Sequence, residues 1–528
     1  MRRPRRSGSA ALLGSLVVGL LALPSCRESA PDRVRLLVVG VDGADWEAIE
    51  KLWGEGRLPN LRALAERGVA TRLATAYGKS PVIWTTMATG VAPERHGIEG
   101  FVVPTEQGDL PVSSAVRRVP ALWNMLSDRG LRVGVVSWWA SWPAEDVNGV
   151  VLSDRVVSGD RLAAVSARVS PAALEGRLAG WLAQALAAEE PSFEREEVGA
   201  RDRLSVTVGR HLLASEDLDL VMVYLRSVDV WSHLSWKRFE PERFGLSEAE
   251  RVRGSDPVTD AYEASDQAIG LLMEAAGPEW NALVVSDHGF VAMEREEVRV
   301  GLDLDRLLAE LGFLVRDERG AVDLEASRAY SYASRPGDEI KKLRTGGAAG
   351  PELRVELEAA LDRVRWGDGA RTLRVRDARA LERRAGAEIV VRVLRPGADE
   401  RLMLDGGSGS PTPIEGVVRS VHRQSGTHYR ETPGILFASG PHVDPTAELD
   451  GASIHDFAPT VLAAFGLPVA EDFVGAARRE LFTGELRARH PASKIASWGD
   501  RAGVAAPAAS SIDEEILQDL RALGYLDD

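Results

Sequence analysis

The sequence predicts an α/β fold in which a mostly parallel central sheet is covered by helices on both faces. Apolar strand-like runs alternate with helical patterns along most of the 528 residues. Two apolar runs, within residues 38–43 and 284–289, end abruptly in Asp or His, although an unpaired buried carboxylate is costly. In open α/β sheets, ligands gather at the carboxyl ends of the strands, so these polar ends predict a site there.

Each element is assigned in chain order from its hydrophobic pattern. Short apolar runs predict buried strands at residues 34–41, 131–138, 219–225, 282–286 and 435–438. Apolar residues that repeat on one helical face predict helices at residues 46–53, 59–67, 120–129, 201–214, 258–276 and 456–465. Strands that alternate with helices in this way favour parallel pairing.

Two stretches interrupt the alternation. Residues 155–200 are rich in Ala and predict helices that pack over the sheet. Residues 291–425 predict an inserted α+β cap, because they combine a helical run at 351–364, an alternating strand at 388–394 and a Gly/Pro/Ser loop at 405–413. The predicted segments are therefore a signal at 1–26, core at 27–290, the cap at 291–425, core again at 426–490, and a linker with a terminal helix at 491–528.

The first 26 residues are typical of a bacterial export signal. Four arginines precede an apolar run, residues 10–23, that is too short to span a bilayer as a helix. Cys26 is the only cysteine and follows this run as in a lipobox, although Pro24 is unusual there. We expect an exported lipoprotein of the cell envelope, in the periplasm or at the outer membrane, anchored through lipid on Cys26. The alternative is an ordinary cleaved signal peptide.

The acidic balance of the chain excludes one class of partner. A formal net charge of -15 repels the phosphates of nucleic acids, so no nucleic-acid polymer is expected to bind. The simpler interpretation of the same charge is that it keeps the protein soluble.

Acids and histidines close the predicted strands or follow them at short distance. Asp229 and His233 lie four residues apart, which places both on one helical face. The full set has three carboxylates and three imidazoles, on Asp42, Asp229, His233, Asp287, His288 and His428. That mixture suits Zn²⁺ best, whereas fewer imidazoles would favour Mg²⁺ or Mn²⁺. Six ligands exceed one tetrahedral site and fit two divalent metal ions.

A nucleophile is expected near Asp42, and Ser80 is the candidate. Ser80 precedes an apparent helix start with Pro81 at the first helical position. The positive end of the helix dipole would favour an alkoxide and a bound phosphoryl group there. The alternative is that Ser80 is only an N-cap.

In order, these motifs resemble the alkaline phosphatase superfamily, and specifically its type I phosphodiesterase/nucleotide pyrophosphatase branch. That branch has an Asp at a strand end, a Thr or Ser nucleophile, and then a T-G-x-x-P-x-x-H-G-I segment, matched here by Asp42, Ser80 and residues 89–98. The motifs D-x-x-x-H and D-H-G and a late His follow at 229–233, 287–289 and 428. The resemblance covers roughly residues 34–480, without most of 155–200 and the cap.

The resemblance implies an alkaline-phosphatase-like core and a two-metal phosphohydrolase acting on a small phosphate ester. The two zinc ions would be held by Asp229, His233 and His428 and by Asp42, Asp287 and His288. Ser80 would lie between metal and substrate, as a further ligand and as the nucleophile that forms a phospho-seryl intermediate. Mn²⁺ or Mg²⁺ could replace zinc. His96 matches a position that is not a ligand, so we interpret it as structural.

One departure from the family pattern bears on the substrate. Nucleotide pyrophosphatases carry Asn three residues after the nucleophile and then His, where this chain has Ile83 and Trp84. The missing donor puts nucleotide specificity in doubt, unless Lys79 or the cap replaces it. Because the stretch after Ser80 is apolar, we expect a preference for diesters over monoesters. Basic residues of the cap would restore monoester binding if they reached the site; the candidates are Lys341, Lys342 and Arg344.

The tryptophans near these motifs have two interpretations. Trp84 and the cluster at 138, 139 and 142 either line an apolar pocket for the leaving group or belong to the core.

Four functions compete at this point. The first is a phosphodiesterase, and the second is an envelope phosphotransferase or phosphomonoesterase of the same superfamily. The third, a sulfatase, requires Cys or Ser followed by x-Pro-x-Arg, whereas Pro81 comes one place early and no Arg follows. The fourth is a non-catalytic surface-binding member of the superfamily. All six ligand positions are filled, which argues against this function.

Overall fold

The structure is a computed structural model that describes residues 32–105, 108–158, 160–193, 197–332, 340–377, 388–394, 399–406, 410–501 and 507–526. The predicted export signal and Cys26 lie outside these residues, so the structure does not bear on them. Within the described ranges, no helix combines the length and the apolar character needed to cross a bilayer.

An eight-stranded sheet forms the centre of the molecule. Its strands lie in the order Val69–Leu73, Gly434–Ser439, Asn281–Val285, Leu36–Val41, Leu220–Leu225, Val133–Val136, Gly149–Leu152 and Val169–Ser170. The five strands from the third to the seventh pair in parallel, and the flanking ones are antiparallel. The predicted α/β fold with a mostly parallel sheet is confirmed.

Helices cover both faces of this sheet. Along strand Leu36–Val41, alternate side chains enter two separate hydrophobic clusters, as the pleat of a strand requires. One cluster packs against the helices Trp46–Gly54, Pro59–Arg67, Leu178–Ala187, Glu197–Ser215, Ser227–Phe239 and Pro257–Ala276. The other packs against the helices Ser80–Thr89, Leu122–Ser127, Phe457–Ala464 and Gly484–Arg489. The central strand is therefore buried on both sides, which explains its continuous apolar sequence.

The remaining elements of the core are short. The helices are Pro93–His96, Glu248–Arg253 and Asp513–Ala522, with 3₁₀ turns at Ser114–Val116, Ile454–Asp456 and Arg479–Leu481. The strand pairs are Val102–Thr105 with Gly108–Pro111, Val157–Ser158 with Arg161–Leu162, and Val469–Ala470 with Lys494–Ile495. The helix predicted at the end of the chain is thus present.

The prediction that residues 155–200 are helical was wrong for the first part of this stretch. Three two-residue strands and the 3₁₀ turn Ala172–Arg177 come first, and the described α-helices of the stretch are Leu178–Ala187 and the start of Glu197–Ser215. Strand Val169–Ser170 pairs with the edge strand Gly149–Leu152 of the central sheet. Pairing with this edge strand therefore decides the conformation of Val169–Ser170, rather than the helix propensity of the Ala residues nearby.

Residues 291–425, the predicted cap, have a hydrophobic core of their own. Its described helices are Leu304–Glu310 and Leu353–Asp362, and its smaller strands are Ala329–Ser331, Ile340–Thr345, Ile389–Val393, Leu373–Asp377, Val364–Trp366, Leu402–Leu404 and Thr412–Pro413. Two long antiparallel strands, Val291–Leu302 and Val418–Thr427, connect this part to the core. The predicted boundary at 425 falls inside the second of these strands, because the pair continues to the candidate site.

Candidate functional site

Asp42, Asp287 and His288 lie together because two neighbouring parallel strands end at the same edge of the sheet. Strand Leu36–Val41 runs directly into Asp42, and strand Asn281–Val285 ends two residues before Asp287. All three side chains are buried, at 2% exposure or less. The structure thus brings together the polar residues that end two apolar runs of the sequence.

Asp229 and His233 face the same edge from helix Ser227–Phe239, which follows the next strand. The carboxylate of Asp202 fixes the start of this helix, since it accepts hydrogen bonds from the backbone and hydroxyl of its first residue at 2.8 and 2.6 Å. Burial raises the pKa of Asp202 to about 6. Gly43, with φ of 70°, allows the chain to pass close by, because a Cβ there would lie 2.9 Å from Asp229 Cα.

His428 arrives from the long strand Val418–Thr427. This strand lies so close to helix Ser227–Phe239 that a Cβ on Gly426 would be 2.2 Å from the carbonyl oxygen of Ser232. The imidazole of His428 stacks on that of His288, with ring centroids 3.7 Å apart and planes inclined by 12°. The glycine therefore permits the approach that places the sixth predicted ligand.

The six side chains form two groups, Asp229 with His233 and His428, and Asp42 with Asp287 and His288, and in each group ligand atoms lie within 4.8 Å of one another. His233 Nε2 is 3.5 Å from Asp229 Oδ1 in the first group. His288 Nε2 is 3.4 Å from Asp287 Oδ2 and 3.5 Å from Asp42 Oδ1 in the second. The groups adjoin, since His288 Nε2 is 3.9 Å from Asp229 Oδ1. This grouping equals the one that the family resemblance implies.

One oxygen of Asp42 is held by three donors. Trp84 Nε1 and Trp139 Nε1 lie 3.2 and 3.4 Å from Asp42 Oδ2, and the hydroxyl of Tyr224 also donates to it. The other oxygen, Oδ1, faces the second group of ligands. The surrounding side chains therefore orient this carboxylate and leave one oxygen available.

Three buried ligand atoms have no hydrogen-bond partner among the described residues. They are Asp42 Oδ1, Asp287 Oδ2 and His428 Nδ1. A buried polar atom without a partner costs about 1–3 kcal/mol. Divalent cations take carboxylate and imidazole ligands of this kind, so the residues present fit two such ions.

The pKa shifts of these side chains also favour the binding of divalent cations. Burial raises the pKa of Asp229 and Asp287 well above the usual range, and the nearby charge of Asp42 raises both further. Burial lowers the pKa of His288 and His428. Without a cation, these carboxyl and imidazole side chains therefore favour their neutral forms. A divalent ion would relieve the repulsion among the carboxylates and use the neutral imidazoles as ligands.

Ser80 is the first residue of helix Ser80–Thr89, and its N-cap is Lys79. The interpretation of Ser80 as an N-cap was therefore wrong by one position. The Ser80 side chain is buried, and its Oγ lies 3.3 Å from His288 Nε2. The hydroxyl thus reaches the second group of ligands from the positive end of a helix.

A cavity of about 350 Å³ opens beside Asp42 and Ser80. Its walls include the basic side chains of Arg155, Arg201 and Arg226 and the aromatic rings of Trp139, Tyr224 and Tyr525. Apolar side chains of the C-terminal segment, among them Leu520 and Leu523, complete the wall. No motif in the sequence pointed to these arginines or to Tyr525.

Most of the tryptophans near the motifs belong to the core. Trp84, Trp138 and Trp142 are buried, and the rings of Trp84 and Trp138 meet edge to face at 5.0 Å. Trp139 lies along the cavity. Ile83 is also fully buried in the hydrophobic cluster of its helix, so it does not face the cavity.

His96 has a structural environment. Its Nε2 lies 3.0 Å from Thr86 Oγ1, and the backbone N–H of Ile98 donates to its Nδ1 at 3.2 Å. Burial and, to a smaller extent, the charges of Arg117 and Arg118 lower the pKa of His96 to about 3. His96 is thus a neutral imidazole that braces the helix carrying Ser80.

Two solved structures can be compared with this chain. The chain is similar to human ectonucleotide pyrophosphatase/phosphodiesterase 5, with 13% identity and a TM-score of 0.42, over 85% of this chain and 100% of that one. It is also similar to phosphonoacetate hydrolase from Sinorhizobium meliloti, with 14% identity and a TM-score of 0.41, over 81% of this chain and 94% of that one. Comparison with curated proteins finds no match.

A family match covers most of the chain. Residues 36–371, which contain five of the six candidate ligands and Ser80, match the family described as Type I phosphodiesterase / nucleotide pyrophosphatase. The family hydrolyses phosphate esters and typically depends on divalent metals, in agreement with the clustered Asp and His ligands. The chain therefore belongs to the type I phosphodiesterase/nucleotide pyrophosphatase family, within the alkaline phosphatase superfamily.

Proposed function

We propose that this protein is an exported two-metal phosphodiesterase that uses Ser80 as its nucleophile. The observation that carries the proposal is the position of the Ser80 hydroxyl, 3.3 Å from a ligand atom of the Asp42 group and next to the cavity. A non-catalytic binding protein would have no need for a hydroxyl at that point.

Zn²⁺ fits the mixed carboxylate and imidazole ligands best, with Mn²⁺ or Mg²⁺ as alternatives. Asp229, His233 and His428 would hold one ion, and Asp42, Asp287 and His288 would hold the other. Two such ions, when bound, lower the pKa of a nucleophile and stabilise the charge of the attacking and leaving oxygens.

Ser80 would attack the phosphorus atom of a small phosphate ester. The Ser80 hydroxyl gives its proton to solvent and a bond forms between Ser80 Oγ and phosphorus. The bond from phosphorus to the leaving oxygen breaks, and that oxygen keeps the electron pair and takes up a proton from solvent. Water then cleaves the phospho-seryl ester and restores the serine. The N-terminal end of helix Ser80–Thr89 favours the negative charge of the phosphoryl group throughout.

The cavity supports a diester as the preferred substrate. Its apolar wall at Leu520 and Leu523 offers a surface to a second ester group. The three candidate basic residues of the cap, Lys341, Lys342 and Arg344, are not among the described residues that line it. A diester therefore meets apolar surface where a monoester would place a second charge.

A second candidate function rests on the arginines of the cavity. Arg201 and Arg226 line the same cavity as Ser80, and Asp519 lies 3.9 Å from Arg226. Guanidinium groups recognise phosphate oxygens. They would supply the additional donors that a phosphomonoesterase or an envelope phosphotransferase needs.

The same proposal places the protein in the cell envelope, anchored through lipid on Cys26. The support is the sequence of the first 26 residues, in which a basic start and an apolar run precede the single cysteine.

Rates on three chromogenic substrates separate the candidates. The zinc-loaded protein should hydrolyse bis-p-nitrophenyl phosphate faster than p-nitrophenyl phosphate, and p-nitrophenyl sulfate very little. Turnover of the sulfate above both phosphates would overturn the proposal.

A further inference from the structure

The C-terminal segment, residues 507–526, folds back onto the candidate site. Helix Asp513–Ala522 is fixed at its start by Arg155, a buried side chain whose Nη1 lies 2.7 Å from Asp513 Oδ1. Ser158 Oγ donates to Glu515, two residues further along the helix, at 2.6 Å. These contacts attach the helix to residues that were predicted to pack over the sheet.

The end of the segment is held by apolar contacts. Leu517, Leu520 and Leu523 are each at most 7% exposed. The ring of Tyr525 stacks on Phe101, with centroids 4.4 Å apart and planes inclined by 28°. The aromatic ring is therefore held in a defined position, and its hydroxyl points to the candidate ligands.

The hydroxyl of Tyr525 contacts the first group of ligands directly. It lies 2.8 and 2.9 Å from the two carboxylate oxygens of Asp229. It is also 2.7 Å from His233 Nε2. A hydroxyl that contacts candidate ligand atoms on two side chains lies within the space that an ion between them would coordinate.

We propose that the Tyr525 oxygen is a fourth protein ligand of the metal ion held by Asp229, His233 and His428. This inference rests on the proposed two-metal function. Ligand atoms about 2.0 Å from a tetrahedral ion lie about 3.3 Å from one another. The observed separations of 2.7–2.9 Å need to open by only a few tenths of an ångström.

With Tyr525, the Asp229 group would have four protein ligands, as the Asp42 group has with the hydroxyl of Ser80. The two groups would still differ in role, because the fourth ligand is the candidate nucleophile in one and a tyrosine of the C-terminal segment in the other. Structural zinc sites are closed by four protein ligands, and catalytic ones keep an exchangeable position. Tyr525, on a short C-terminal segment, is the ligand that a substrate oxygen would replace.

Zinc affinity of the full-length chain tests the proposal. Competition with a chromogenic chelator should show two ions in the wild type, and Tyr525→Phe should weaken one of them by about tenfold or more while the other is unchanged. Tyr330→Phe, in the cap, is the matched control and should leave both affinities unchanged. The visible absorption of the Co²⁺-loaded protein should change in Tyr525→Phe and not in the control.

A second variant separates ligation from packing. Tyr525→His retains a ligand atom, and it should recover at least part of the affinity that Tyr525→Phe loses. Equal zinc affinities and equal Co²⁺ spectra for Tyr525→Phe and wild type would overturn this inference alone. A wild type that binds no divalent ion would overturn the proposed function as well.

Discussion

The Ser80 hydroxyl lies 3.3 Å from His288 Nε2, although 208 positions separate the two residues in the chain. Ser80 opens a helix on one face of the central sheet, and His288 follows a central strand. The contact therefore depends on the complete α/β core, and it joins the candidate nucleophile to a candidate metal ligand.

Replacing Ser80 by Ala should abolish hydrolysis with little effect on folding. We expect kcat to fall by at least about 10³-fold, because the covalent step is lost. The free energy of unfolding should fall by at most about 1 kcal/mol, since one hydroxyl contact is removed. Steady-state kinetics and urea unfolding measure the two quantities.

Thr85→Ala, on the same helix, is the control for Ser80 and should keep nearly the wild-type kcat. Near wild-type turnover in Ser80→Ala would contradict the assignment and direct attention to Thr85 or Thr86.

The zinc-loaded protein should prefer diesters. We expect kcat/KM for bis-p-nitrophenyl phosphate to exceed that for p-nitrophenyl phosphate, because the cavity is partly apolar. Arg226→Gln should lower the monoester rate more than the diester rate, since a monoester carries the additional charge. A tenfold advantage for the monoester in the wild type, equal to about 1.4 kcal/mol of transition-state stabilisation, would favour the second candidate function.

His96 should make the fold sensitive to acid. Its pKa of about 3 in the folded protein is below the ordinary 6.5, so its contribution to stability is complete above pH 6.5 and is lost as the pH falls. Lowering the pH from 7.5 to 5.5 should therefore reduce the free energy of unfolding by about 1.4 kcal/mol through His96.

The His96→Gln variant should lose that part of the pH dependence, measured by urea unfolding at both pH values. His211→Gln, on helix Glu197–Ser215, is the control and should change the slope less, because partial burial lowers the pKa of His211 only in part. A slope in His96→Gln equal to that of wild type would show that other groups cause the acid sensitivity.

Cys26→Ala tests the lipid anchor. The variant should leave the membrane fraction and appear as a soluble or unprocessed species, because the acceptor for the lipid is absent. Fractionation and the mobility of the mature chain on a gel report the result. The same membrane association and processing in variant and wild type would refute lipidation.

Local patterns were sufficient to predict most of the candidate ligands. Asp42, Asp287 and His288 stand out because an apolar run ends in a charge, and Asp229 and His233 because a four-residue spacing shares one helical face. His428 is different, since only its order among the motifs singled it out. The structure explains its position by the antiparallel strand Gly434–Ser439, which begins at that edge of the sheet, so that the residues just before it lie there.

The features that the sequence did not predict depend on tertiary contacts. The short strands Val157–Ser158, Arg161–Leu162 and Val169–Ser170 form because they pair with one another or with a sheet edge, against the helical preference of the surrounding Ala residues. Tyr525 was assigned only to a terminal linker and helix, yet it contacts Asp229. Arg201 and Arg226 reach the cavity only after their helices pack. No spacing rule connects such residues to the motifs.

Metal content is the measurement that tests the central claim most directly. Elemental analysis of the carefully loaded wild-type protein should give two zinc ions per chain. Asp229→Ala or His428→Ala should each retain only the ion of the Asp42 group, and Asp42→Ala or His288→Ala should each retain only the other. One ion or none in the loaded wild type would contradict the two-metal account.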